Sequence, residues 1–141
     1  VPIDFHTVHP QIGNLNLKKT KQNKIGLVLN THPSHMSGEH WISLFIDKPR
    51  QNKQGTICFF DSTGDEPPEQ VKKLIQHLKS QGNYKVVVNK TKHQIQNSEC
   101  GVYSIYFLVE RLRGRSCNDV FTKKVRDKAM NAKRKEYFSN V

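Results

Sequence analysis

The chain has 141 residues, 35% of them hydrophobic, and carries a formal net charge of +11. With a mean hydropathy of −0.70, this predicts one compact domain over residues 1–141 with a modest core. No apolar run approaches the ~18 residues of a membrane span. The charge exceeds what solubility requires and points to a polyanion partner, nucleic acid above all; a merely solvated basic surface is the alternative. Lys18, Lys19, Lys21 and Lys24 form one basic cluster. Lys123, Lys124, Arg126, Lys128, Lys133, Arg134 and Lys135 form another. The three cysteines, Cys58, Cys100 and Cys117, have no CxxC spacing. That argues against a disulfide framework or a structural zinc site and predicts free thiols in a reducing compartment. Val1-Pro2-Ile3-Asp4-Phe5 lacks a signal-peptide pattern and an initiating Met, which predicts a processed chain or missing upstream residues.

In chain order, Ile25–Asn30 reads as a buried strand and 31–39 as a polar loop. His40–Asp47 alternates, so His40, Ile42, Leu44 and Ile46 share one face and Trp41, Ser43, Phe45 and Asp47 the other. A charged turn over 48–55 leads to a strand at Thr56–Asp61. Pro67 and Pro68 suit a helix start, and Val71, Leu74, Ile75 and Leu78 recur at helical spacing until Gly82 and Asn83. Tyr84–Asn89 reads as a strand, 90–99 as a loop, and Cys100–Leu112 as the central helix. Gly114 ends that helix, and Asp119–Phe138 reads as one basic helical tail. The pattern predicts an α+β fold: a small mixed β-sheet flanked by helices.

Four residue types in this order can perform nucleophilic catalysis. Cys100 opens a helix, where aligned N–H dipoles favour the thiolate. His40 begins a strand, where its ring can project over a cleft and act as base. A hydrogen-bonded surface histidine is the alternative, and six other histidines make any one weak evidence. Asp61 ends the next strand and can hold the imidazole; an Asx turn with Ser62-Thr63-Gly64 is its competing role. Asp47 is a rival orienter, but it lies on the face opposite His40. Gln94 is the candidate oxyanion donor, with Gln96 and Asn97 close enough to be confused with it. Cys58 competes as nucleophile but reads as a small buried hydrophobe within a strand. Cys117 reads as a loop residue without a partner.

Gly38-Glu39-His40-Trp41, Phe60-Asp61-Ser62-Thr63-Gly64 and Gln94 with Cys100-Gly101 together resemble the motifs of the adenovirus-endopeptidase and ubiquitin-like-protease (Ulp1-like) clan of cysteine proteases. Within it the chain looks most like the capsid-maturation proteases of large DNA viruses and virophages, the African swine fever virus polyprotein protease type among them. The resemblance implies a catalytic set of His40, Asp61, Cys100 and Gln94, with Gly38, Trp41 and Gly101 lining the substrate cleft. It implies a monomer that cleaves capsid or core precursors after small residues, of Gly-Gly or Gly-X type, in the virion and infected cell. It implies no membrane and no required cofactor, with activation by DNA or a peptide left open, and it fits DNA binding through the basic surface. A ubiquitin- or SUMO-deconjugating protease is the runner-up. A protein acetyltransferase using the same Cys and His is a further alternative, and so is a non-enzymatic DNA-binding protein on this fold.

Overall fold

The computed structural model describes residues 1–33, 35, 40–93 and 100–138. Two short helical turns, α1 (Phe5–Val8) and α2 (Pro10–Gly13), precede the sheet. Neither is expected from the sequence pattern, because four residues are too few to show helical periodicity. Then come β1 (Lys24–Asn30), β2 (Trp41–Asp47), β3 (Gly55–Phe60), α3 (Glu69–Lys79) and β4 (Tyr84–Val88). The chain ends with α4 (Cys100–Leu112), α5 (Cys117–Thr122) and α6 (Asp127–Phe138).

The sheet order is β1-β2-β3-β4. β1, β2 and β3 pair antiparallel, and β4 joins β3 in parallel. The parallel pair needs a crossover, and α3 supplies it. The architecture is therefore the mixed α+β sheet with flanking helices that the pattern predicts.

Strand alternation builds two cores, one on each face of the sheet. Ile42, Leu44 and Ile46 of β2, with Ile57 and Phe59 of β3, pack against Val71, Leu74, Ile75 and Leu78 of α3 and against Phe5 and Leu17. Phe45, Cys58 and Phe60 face the other way, onto Val102, Tyr103, Tyr106 and Phe107 of α4 and Val120 and Phe121 of α5. Phe60, Phe107 and Phe121 stack with ring centroids 5.0–6.0 Å apart. α4 thus lies across the sheet with its N-terminus at the end where β2 begins and β3 ends.

Two expectations are corrected. The basic tail is not one helix: α5 stops at Thr122 and α6 starts at Asp127. Buried side chains take the backbone groups that a continuous helix would use. The Val125 N–H donates to His93 Nδ1 at 3.1 Å, and the Val125 carbonyl accepts from the Tyr103 hydroxyl at 2.8 Å. The second correction concerns the thiols. Cys58 and Cys117 form a disulfide, and Cys100 is outside it. Cys58 points from β3 onto the α4 face, and Ser116 caps α5 through the Asp119 N–H, which lays Cys117 in the first turn over that same face. A pairing across 59 residues leaves no trace in local spacing. Among the described residues, no helix is long and apolar enough to cross a membrane.

Candidate active site

β2 and β3 pair in a register that sets Ser43 opposite Phe60, so the residues just before β2 and just after β3 meet at one end of the sheet. His40 and Asp61 are those residues. His40 Nε2–H donates to Asp61 Oδ1 at 2.8 Å. That leaves Nδ1 for the sulfur of Cys100, with which the ring shares a second hydrogen bond. Cys100 is buried as the first residue of α4. The Trp41 N–H donates to its Sγ at 3.4 Å, and the Gly101 N–H also contributes.

The Asp61 carboxylate is both orienter and Asx-turn residue, because one oxygen does both jobs. Oδ1 accepts from His40, from the Thr63 N–H at 2.9 Å and from the Thr63 hydroxyl at 2.7 Å. The Gly64 N–H closes the turn on the Asp61 carbonyl at 2.9 Å. Gly64 has φ +80°, and a Cβ there would lie 2.9 Å from the Lys90 carbonyl oxygen, so the turn requires glycine on two counts. Asn89, fully buried, donates from Nδ2 to the Asp61 carbonyl at 2.6 Å and to the Thr91 carbonyl at 3.0 Å. The His93 N–H donates to the Ser62 carbonyl at 2.8 Å. Thr63, Asn89 and His93 therefore hold the acid in place. Thr63 stands within the Asp-Ser-Thr-Gly motif, but nothing in the local sequence of Asn89 or His93 signals such a role.

The electrostatics follow from these contacts. The hydrogen bond to Asp61, then that to Cys100, raise the His40 pKa from 6.5 to about 10 against the opposing effect of burial. Burial acts to raise the Asp61 carboxyl, but the bonds from His40 and Thr63 outweigh it and the pKa falls below its usual value. Burial likewise acts to raise the Cys100 thiol. The His40 bond and the Trp41 and Gly101 N–H groups overcome it, and the thiol pKa falls below 9.0. Each of these shifts acts in favour of an imidazolium held between a carboxylate and a thiolate.

Trp41 lies on the α4 side of the sheet, 37% exposed. Its ring stands over Gly101, 3.5 Å from where a Cβ of residue 101 would be. Asp47 takes no part in the site; it faces Arg111 at 3.8 Å, and that guanidinium lies over the Phe45 ring at 4.7 Å. Gln94 and Gly38 lie outside the described residues.

The family model for the Ulp1 protease family, C-terminal catalytic domain, matches residues 30–141. A thiol protease of Acanthamoeba polyphaga mimivirus is 29% identical over 138 residues, covering 90% of this chain and 44% of the relative. The SUMO-1 cysteine protease of African swine fever virus is 30% identical over 150 residues, covering 91% of this chain and 54% of the relative. A crystal structure of the African swine fever virus protease superposes with a TM-score of 0.79 at 25% identity, covering 92% of this chain and 54% of that one. The chain spans about half the length of the curated relatives it matches.

Proposed function

The chain belongs to the Ulp1 protease family, through its C-terminal catalytic domain, and from that premise we propose that it is a viral cysteine endopeptidase using Cys100, His40 and Asp61. The observation that carries the reading is the hydrogen-bonded chain from Asp61 through the His40 ring to Cys100, with the thiol pKa lowered and the imidazole pKa raised to about 10.

In this mechanism the Cys100 thiolate attacks the scissile carbonyl carbon, and the carbonyl oxygen takes up the electron pair. The Cys100 backbone N–H at the start of α4 is one donor to that oxyanion, and Gln94 is the proposed second. Collapse of the tetrahedral species breaks the C–N bond, and His40 gives its proton to the leaving amine. The neutral His40 then takes a proton from water, whose oxygen attacks the thioester and releases the acid and the thiolate. Asp61 holds the ring in one orientation and stabilises its protonated form.

The Trp41 ring over Gly101 narrows the approach to the sulfur, which supports cleavage after small residues of the Gly-Gly or Gly-X type. Capsid and core precursor proteins are the proposed substrates, in the virion and infected cell, by a monomer. The basic clusters and net charge of +11 support DNA binding, with DNA or a peptide as a candidate activator. The second reading is a deconjugating protease for ubiquitin-like proteins. It is favoured by the name of the African swine fever virus relative, a SUMO-1 cysteine protease. Both act at Gly-Gly sequences.

Intact-mass labelling with a Gly-Gly vinyl methyl ester tests the chemistry. A single adduct on the wild type, absent from Cys100→Ala, is expected, and no adduct on the folded wild type refutes it. Capsid-precursor peptides and a Gly-Gly-linked SUMO conjugate, compared as substrates, separate the two readings.

A further inference from the structure

The seam between α4 and α6 opens beside the nucleophile. α6 lays Met130, fully buried, and the half-buried Tyr137 onto the core that α4 covers. Arg134 and Phe138 belong to the same stripe, four residues apart on one helical face. Across the seam, Gly101 and Ile105 form the matching pair on α4. At its head α4 presents Gly101, with no side chain to fill the space. The result is a cavity of about 410 Å³ lined by Gly101, Val102, Ile105, Arg134 and Phe138. Its lining is mostly apolar, and Arg134 is the one charged residue in it.

Two of the few exposed large hydrophobic side chains among the described residues converge on this spot. Trp41, 37% exposed, covers Gly101 from one side, and Phe138, 46% exposed, lines the cavity on the other. Exposed aromatics rimmed by a charge mark a surface that receives something. This surface begins one residue from Cys100, so it is continuous with the reacting centre.

We propose that the α4–α6 groove is a specificity subsite for the polypeptide substrate, taking a bulky apolar side chain whose neighbour is acidic. The proposal rests on the endopeptidase reading above and names which proteins that site selects. Four residues of α-helix, Gly101 to Ile105, rise about 6 Å, and an extended chain advances roughly 3.3 Å per residue. The apolar side chain therefore sits roughly two or three residues from the scissile bond. The cavity is ample for one Leu or Phe side chain. Arg134 provides the charge complement to an acidic neighbour, and small residues next to the cleaved bond pass beneath Trp41.

The test uses a synthetic peptide library with Gly-Gly at the cleavage site. One flanking position at a time, within three residues on either side, is varied between Leu and Ala, with the adjacent residue Glu or Lys. Wild type, Arg134→Glu and Phe138→Ala are compared by kcat/KM, with iodoacetamide alkylation of Cys100 as a separate report on the thiolate. At one position the wild type is expected to favour Leu over Ala and Glu over Lys, each about 10-fold. Arg134→Glu is expected to reverse the Glu-to-Lys preference, and Phe138→Ala to reduce the Leu preference about 5-fold through KM. Cleavage without such a preference, or ratios unchanged in both variants, overturns the subsite and leaves the endopeptidase reading standing. Faster cleavage by both variants shows that the groove is covered by chain continuing past Phe138, and also overturns it. No cleavage of any peptide by a wild type whose Cys100 alkylates readily overturns the endopeptidase reading, and the subsite with it.

Discussion

Replacing Asp61 by Asn keeps the shape of the side chain and removes its charge, and the consequence is read at His40. The rise of the His40 pKa from 6.5 to about 10 corresponds to roughly 5 kcal/mol at about 1.4 kcal/mol per pH unit. Cys100 supplies part of this, and the ring is 22% exposed, so solvent screens a further part. The Asp61 charge then accounts for roughly 2–3 kcal/mol, or about two pH units. The assay is an NMR pH titration of the His40 ring in wild type and Asp61→Asn, which needs no substrate. The ring that titrates near 10 in the wild type is expected to titrate roughly two units lower in the variant. The alkaline limb of peptide cleavage should move with it, because the leaving amine needs the protonated ring. The stability consequence has a definite sign. A raised folded-state pKa on a base stabilises the protein fully below 6.5, and this contribution is lost as pH rises through about 10. The stability gap between wild type and variant attributable to His40 should therefore be wide near pH 7 and close above pH 10. A His40 titration in Asp61→Asn within half a unit of the wild type refutes the reasoning.

His40→Ala leaves burial, which raises the Cys100 thiol, opposed only by the Trp41 and Gly101 N–H groups. The acid limb of iodoacetamide alkylation should move up by at least about one pH unit; an unmoved limb means that the imidazole does not sustain the thiolate. Gly64→Ala forces a side chain into φ +80° against the Lys90 carbonyl, costing about 1–3 kcal/mol. Calorimetry should show Tm lower by roughly 3–10 °C, and an unchanged Tm contradicts the turn as described. Thiol titration of the unfolded, unreduced chain should find one reactive cysteine, rising to three on reduction, because Cys58 and Cys117 are paired. Cys117→Ala should cost up to about 4 kcal/mol in urea unfolding, from the entropy of a loop of this length; no loss means that the bridge does not constrain the chain.

Local pattern carried the sheet and its faces. Alternation in 40–47 separates Ile42, Leu44 and Ile46 from Phe45, and the two cores divide them in the same way. Helical spacing after Pro68 marked α3, and the apolar run after Cys100 marked α4. His40, Asp61 and Cys100 were nameable because each stands at the boundary of an element, and boundaries have signals in sequence. The distance between them had none. Three positions spread over 60 residues become one hydrogen-bonded chain only when β2 pairs with β3 and α4 starts at that end of the sheet.

Tertiary structure alone decided the rest. The break between α5 and α6 exists because His93 and Tyr103, distant in sequence, capture the backbone of Val125; helical propensity has no knowledge of such partners. The Cys58–Cys117 bridge depends on a strand face meeting a helix start, and composition argued the opposite. Asn89 supports Asp61 through its side-chain amide on the Asp61 carbonyl, and His93 through its backbone N–H on the Ser62 carbonyl; both are contacts between residues distant in sequence. Residue types and their order along the chain determined which chemistry was available to this protein. Only the packing of α4 against the sheet determined that the groups meet, and with what charge.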